Sequence, residues 1–407
     1  MYGWRIGRRW RWCFVGLSIL LIASLYLLTS LPALPELAEV HTCPACFGTS
    51  LCPAIASGAL SLTDIGSVPG LIGALGTKNV FFGSYNSHHV VLKKLGHTWE
   101  LQGLDRALCV AADLAPDCKI KEAVDYLSDI HSLIMDYVSQ STRDNAGVLS
   151  SFHLCPSADN LDVLLSDVMK NSKNVSSDLA LIHIWTLLHL NAEPLILQIL
   201  PAEESWPVPR YHGACGRLVV EEYAGQPLSE FTNAPWPKRA HLAKQLLHAA
   251  LQFTERHPAF RFYLTDISLD NVAVDAVGNV KFVDLENIII LDKYPSDRVK
   301  PATWSSQHVS ENYGCSDCFA FSSDDICSHH ISDHNFYAVC QELLVGGGNS
   351  GGLLAVVPSA ALIRQPVLPT LLQQCAHSPG PKGRRMAAAQ LVSALEKEAS
   401  FSYFIQH

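Results

Sequence analysis

The sequence predicts an α+β fold, braced by disulfides and preceded by one N-terminal membrane segment. Three observations carry this: an apolar run at 13–31 behind four arginines, twelve cysteines downstream of it, and short apolar strands that alternate with amphipathic helices. With 407 residues and 48% hydrophobic content, the chain can bury a sizeable core in one large domain or two smaller ones. Its formal charge of -9 argues against nucleic acid as a partner.

Residues 1–12 form a cytosolic tail carrying Arg5, Arg8, Arg9 and Arg11, and the run 13–31 is long enough to span a bilayer. Cations before the span favour a type II signal anchor. A cleaved signal peptide is the alternative, because Pro32-Ala33-Leu34-Pro35 could host cleavage. Either choice places the rest of the chain in the secretory lumen, and the even set Cys43, Cys46, Cys52, Cys109, Cys118, Cys155, Cys215, Cys315, Cys318, Cys327, Cys340 and Cys375 agrees. Spacing does not give their pairing. Cys43-x-x-Cys46 and Cys315-x-x-Cys318 also admit a redox or zinc reading, but neither sits at a strand-to-helix junction, so structural disulfides are the expected use. Asn174-Val175-Ser176 is the one glycosylation sequon.

Residues 32–70 read as a Cys-rich flap. Two antiparallel strands follow at 79–85 and 90–94, the second ending in Lys93 and Lys94. An insertion at 96–177 carries helical patterning at 120–138, with Leu127, Ile130, Ile134 and Val138 as core. The almost wholly apolar helix 178–190 is read as buried. It runs into Glu193-Pro194, where proline fits a first helical turn. Two strands at 211–216 and 217–225 precede a helix at 238–256, whose apolar face is Leu242, Leu246, Ala249, Ala250 and Phe253. His257-Pro258 stops it.

The next stretch organises the chemistry. Asp266 is followed five positions on by Asn271 and thirteen further by Asp284. Between the last two lies a hairpin, 272–274 and 280–283 around Gly278-Asn279. The hairpin folds the chain back so that the three residues converge on one space. Phosphoryl transfer needs such a group: a carboxylate to orient a hydroxyl, with an amide oxygen and a second carboxylate for a metal. Beyond it, Asp333 reads as a helix N-cap, 346–352 as a flexible loop, 383–399 as a scaffold helix, and the adjacent pairs His88-His89 and His329-His330 as surface residues.

The order and both spacings resemble the protein-kinase catalytic loop and metal-binding Asp, H-R-D-x-x-x-x-N and D-F-G. Here Leu264-Thr265-Asp266 replaces H-R-D, Ser268 stands where Lys is usual, and Asp284-Leu285-Glu286 replaces D-F-G. Small-molecule kinases of the aminoglycoside phosphotransferase type share a similar arrangement. Val90-Val91-Leu92-Lys93 resembles V-A-I-K, which implies Lys93 on the phosphates, with Lys94 as fallback. Glu193 becomes its partner, with Glu203 and Glu204 as alternatives. Gly76 and Gly83 are candidates for a nucleotide loop, although the full G-x-G-x-x-G is absent. The stretch 333–339 resembles the start of the kinase helix whose buried Asp bonds the catalytic-loop backbone.

With Cys43-Pro44-Ala45-Cys46, Gly213-Ala214-Cys215-Gly216-Arg217 and Asn233-Ala234-Pro235-Trp236, these motifs run along nearly the whole lumenal chain. The sequence is similar to the divergent protein kinase domain family, in its deleted-in-autism branch. The resemblance implies a bilobal protein-kinase-like fold, N-lobe 71–225 and C-lobe 226–407. Its expected place is a Golgi or other secretory-pathway membrane as a type II protein, or outside the cell after cleavage. ATP with Mg or Mn is the implied cofactor. Asp266 would be catalytic, Lys93 and Glu193 would position phosphates, and Asn271 and Asp284 would hold metal. The acceptor would be a hydroxyl on a lumenal or extracellular protein or glycan. The alternative is a weak or inactive pseudokinase acting as a signalling ligand or scaffold, which the missing His, Arg and Gly favour.

Overall fold

The computed structural model describes residues 33–63, 80–127, 130–141, 152–170, 177–311, 319–347, 351–377 and 383–400. The expected membrane segment 13–31, Gly76, the sequon at 174–176 and the pair Cys315 and Cys318 lie outside these. Among the described residues no helix is long and apolar enough to cross a membrane.

Five strands form one antiparallel sheet: β1 (Leu60–Leu62), β2 (Val80–Tyr85), β3 (His88–Lys93), β4 (Tyr211–Cys215) and β5 (Leu218–Glu222). Their spatial order is β1, β2, β3, β5, β4. Asn86 and Ser87, both at positive φ, make the two-residue turn that matches the twist of the β2–β3 hairpin. Strand alternation then sorts the side chains. The register Val80 to Lys93, Phe82 to Val91 and Val91 to Glu221 puts these five on one face. Val90, Leu92, Leu218 and Val220 point the other way, into a small core with Ala38, Leu51 and Leu60. Within the expected flap, residues 33–63 supply the edge strand and the apolar cover of the sheet's far face.

Gly83 does not belong to a nucleotide loop. It lies in the middle of β2, where a Cβ would come within 2.5 Å of the Ser61 carbonyl and 2.6 Å of Leu92 Cδ1, so glycine there lets the β1 edge close up.

The C-terminal half is built around the helix Trp236–Glu255, which buries all five of its expected apolar-face residues. The helix Gly383–Ser400 and the short helix His334–Ala338 pack on it. Strands β6 (Gln226–Pro227), β7 (Phe260–Tyr263), β8 (Val272–Val274), β9 (Val280–Phe282) and β10 (Ile289–Asp292) complete the framework. The pattern at 120–138 resolves into two helices, Ile120–Tyr126 and Ile130–Ser141, rather than one.

The insertion is also stitched into this C-terminal half. His153–Leu154 pairs in parallel with β10, and the buried Asp292 carboxylate accepts hydrogen bonds from the Asp159 and Asn160 amides and from Asn160 Nδ2. Five disulfides join described cysteines: Cys43–Cys46, Cys52–Cys215, Cys109–Cys118, Cys155–Cys327 and Cys340–Cys375. Loop-closure entropy makes Cys52–Cys215 and Cys155–Cys327, at separations of 163 and 172, worth about 5 kcal/mol each. The three-residue separation of Cys43–Cys46 is worth only about 2 kcal/mol on the same reasoning.

Candidate functional site

A cavity of about 580 Å³ lies between the mixed-polarity face of the sheet and the β8–β9 hairpin, within the range that holds a small-molecule ligand. Val80, Phe82, Val91, Lys93 and Glu221 line it from the sheet, and Asn271, Val283 and Asp284 line it from the opposite side. Between them runs Tyr223 to Gly225. Gly225, at φ +107, lies where a Cβ would be 2.0 Å from the Val274 carbonyl, so only glycine allows β6 to pair with β8. The hairpin is thereby joined to the end of β5.

Lys93 is the centre of the cavity's electrostatics. Its Nζ lies 2.5 Å from Glu193 Oε2 and 3.0 Å from Glu221 Oε2. Burial alone would lower the Lys93 pKa, and the two carboxylates reverse that and hold it above its ordinary value. Glu193 starts the helix Glu193–Ile199, whose Pro194 sits in the first turn as expected. Its second oxygen accepts the amides of Asp284, at 2.8 Å, and Leu285, at 3.2 Å. One carboxylate thus joins the strand lysine to the segment after the hairpin. Asp284 has φ +64, a left-handed conformation that Asp tolerates better than most residues.

Of the alternatives, Lys94 pairs with Glu39, and Glu203 pairs with Arg210. Asn271 Nδ2 donates to the Asp266 carbonyl at 3.2 Å, which leaves the amide oxygen as the side that can meet a cation. Asp266 itself is exposed and is not part of the cavity wall. Asn271 and Asp284 form a hard-oxygen donor pair that suits Mg or Mn shared with ligand phosphates, since Mg takes few protein ligands in such sites. No cluster of three or more His, Cys, Asp or Glu ligands exists among the described residues to compete for a metal.

Sequence reasoning missed several participants. Glu221 is 2% exposed, and its Oε1 has no hydrogen-bond partner among the described residues. Burial, and then repulsion from Glu193, push its carboxyl up to about 7 against the pull of Lys93. The signal was present in Leu218-Val219-Val220-Glu221-Glu222, where acids follow a buried strand. Glu222 reaches Lys281 with both oxygens at 2.6 Å. Asn191 accepts the Glu193 amide and donates to Glu286, so the Glu standing in place of the usual Gly latches its segment to the helix.

Asp333 holds the N-cap position of His334–Ala338 as expected, but its side chain makes no cap bond and does not reach the backbone of the loop before the hairpin, which is a correction to the role that the resemblance implied. Its oxygens accept Ser310 N at 2.8 Å and Arg384 Nη1 at 2.6 Å. The loop is held instead by its neighbours. Asn335 bridges Phe262 O and Leu264 N, and His334 Nε2 lies 2.8 Å from Leu264 O. Burial lowers the His334 pKa to about 3, so the ring is neutral, with the proton on Nε2 that a bond to a carbonyl requires.

A family model described as the protein-kinase domain of FAM69 matches residues 184–378, which include Glu193, Glu221, Asp266, Asn271 and Asp284. Divergent protein kinase domain 2A of Xenopus tropicalis is 37% identical over 371 residues, covering 87% of this chain and 86% of that one. The chain belongs to this family of divergent, FAM69-type protein kinase domains. The Homo sapiens domain 2A is 36% identical over 372 residues with the same coverage. Domain 2B of Mus musculus is more distant, 25% identical over 323 residues, covering 74% of this chain and 71% of that one. Within this kinase-like family the segment that a family model covers begins inside the helix Ser177–Leu190, so Lys93 and the N-terminal sheet strands β1 to β3 fall outside it.

Proposed function

We propose that the cavity binds ATP with Mg or Mn and that the chain transfers the γ-phosphoryl group to a hydroxyl. The observation that carries this reading is the double use of Glu193, which clamps Lys93 with one oxygen and the Asp284-Leu285 backbone with the other. Lys93 then meets phosphate oxygens, Asn271 and Asp284 hold the cation, and the exposed Asp266 meets an acceptor hydroxyl arriving from solvent. The metal, when bound, supplies charge neutralisation on the phosphates. The chain's own residues supply position: rate in phosphoryl transfer comes mostly from orientation and electrostatics. The acceptor belongs to a lumenal or extracellular protein or glycan, met in the secretory pathway or after secretion. The disulfides support that compartment.

Glu221 favours a second reading. Lys93 is shared by two carboxylates, so its charge is already neutralised before any phosphate arrives. A pseudokinase that acts as a signalling ligand or scaffold would retain a lysine whose charge is matched in this way. A thermal shift with Mg-ATP, on wild type and Asp284→Ala, separates the two. Ligand at a hundredfold excess over Kd raises stability by about 2.7 kcal/mol. A metal-dependent rise that is lost in the variant supports the kinase. No rise with ATP or GTP and either metal leaves the ligand or scaffold, whose biological effect then survives Asp266→Ala.

A further inference from the structure

The Cys43–Cys46 bridge closes the shortest loop of the described disulfides, a separation of 3, and its cysteines are not part of the cavity wall. We propose that it is an exchangeable redox site that takes thiols as its substrate class. Three features carry this inference.

First, the fold does not need the bond. The loop is held by backbone bonds on both sides: Phe47 N to Gly216 O at 2.9 Å, Gly216 N to Gly48 O at 2.8 Å, and Arg217 N to Ala38 O at 2.7 Å. Cys52–Cys215 then locks the same neighbourhood covalently. Second, Cys43 is half-buried and Cys46 fully buried, so an incoming thiolate meets Cys43 first; Cys52–Cys215, Cys109–Cys118 and Cys155–Cys327 share this asymmetry, so it sets the direction of attack and not the choice of bridge. Third, the buried sulfur has partners suited to a leaving thiolate. Cys46 Sγ lies 3.8 Å from His183 Nε2, and Arg217 Nη2 donates to the carbonyl of Ala45, the residue before Cys46. Burial lowers the His183 pKa to about 4, so it acts as a neutral N–H donor. No helix N-terminus is involved: His183 is the side chain that meets the Cys46 sulfur, while Arg217, paired with Asp105, fixes the Ala45 carbonyl and with it the backbone beside Cys46.

The exchange balances in two steps. A thiolate attacks Cys43 Sγ and forms a mixed disulfide, the Cys43–Cys46 bond breaks, and Cys46 leaves as a thiolate that accepts from His183 and takes a proton from solvent. A second thiolate attacks the outer sulfur of the mixed disulfide, and Cys43 leaves. Two thiols are oxidised to one disulfide, and the protein pair gains the two electrons and two protons. The reverse run oxidises the pair at the expense of an external disulfide.

The test uses the whole folded protein in graded mixtures of reduced and oxidised glutathione without denaturant. The reaction is quenched with acid, the thiols are alkylated, and each bridge is read by peptide mass. Cys43–Cys46 is expected to open at ratios that leave Cys52–Cys215 and Cys155–Cys327 closed, with the near-UV dichroism unchanged. Cys46→Ser should accumulate one glutathione on Cys43, and His183→Gln should slow the opening several-fold. The order of opening in wild type is informative whether or not either variant folds. Opening of all bridges together, or of Cys43–Cys46 only as the chain unfolds, overturns the proposal. Replacing glutathione by a protein dithiol of thioredoxin type shows whether small or protein thiols are the better substrate.

Discussion

Two cations, the half-buried Lys93 in the N-terminal sheet and the buried Arg384 in the C-terminal core, each meet a buried acid, and they are built to opposite rules. Arg384 is fully satisfied. Nη1 meets Asp333, Nε and Nη2 donate to the Cys375 and Ala376 carbonyls, and the guanidinium lies 5.0 Å from the Tyr337 ring. Asp333 is satisfied in turn by Ser310 N. Lys93 has one acid too many, and one oxygen of the extra acid faces no described partner. A closed network serves the fold, whereas an open one held in a cavity is prepared for something that has yet to arrive.

Four experiments bear on that contrast. The largest effect is expected from Arg384→Ala, which leaves Asp333 buried and unpaired and should cost about 3–5 kcal/mol in urea unfolding. A loss under 1 kcal/mol would mean that the core network is not what holds these elements.

Glu221→Gln comes next. The folded Glu221 carboxyl titrates near 7 rather than at its ordinary 4.5, so the folded chain keeps a proton that the unfolded chain releases. That stabilisation is full below pH 4.5 and is lost as the pH rises through about 7. At about 1.4 kcal/mol per unit, the window spans on the order of 3 kcal/mol. The variant, neutral throughout, should flatten the fall in melting temperature between pH 5 and 8. Identical slopes would show that Glu221 is ionised in the folded state and that the triad is balanced after all.

Lys93→Met should abolish any Mg-ATP-dependent rise, a loss of about 2.7 kcal/mol at hundredfold excess, and Arg384→Lys, if it folds, should keep that rise. Persistence of the rise in Lys93→Met would place phosphate binding elsewhere. The smallest effect is expected from Lys244→Ala. It breaks a pair with the largely exposed Glu396 and should change stability by no more than about 0.5 kcal/mol. A larger value would mean that surface pairs rival the buried ones here.

The contrast also sorts what could be read from the sequence. That Lys93, Glu193, Asn271 and Asp284 share one cavity was legible from two sources: the hairpin spacing for Asn271 and Asp284, and the resemblance, beside a strand end and a first helical turn, for Lys93 and Glu193. So was the apolar face of Trp236–Glu255, which repeats at helical period. Glu221 was not, because its meaning depends on β5 lying beside β3, a pairing across more than a hundred residues. Asp333 is at the expected N-cap, but the bonds its side chain makes are not legible, for a related reason. Its partner Arg384 comes from the last described helix, and the loop-binding role passed to Asn335, two positions on, where no local rule distinguishes it. Gly83 looked like a loop glycine until the edge strand β1 was placed against it.

The crossing of Cys52–Cys215 with Cys155–Cys327 also bears on how the protein is made. In an oxidising compartment the first bridge can close while synthesis continues. The second waits for roughly 110 more residues, about 5–20 s of elongation. The newborn sheet is therefore covalently complete before the half that faces it exists, and Cys155 must remain a free thiol through that interval. Chains halted between residues 250 and 300 should carry the first bridge and a modifiable Cys155, which waits longest for its partner among the described disulfides.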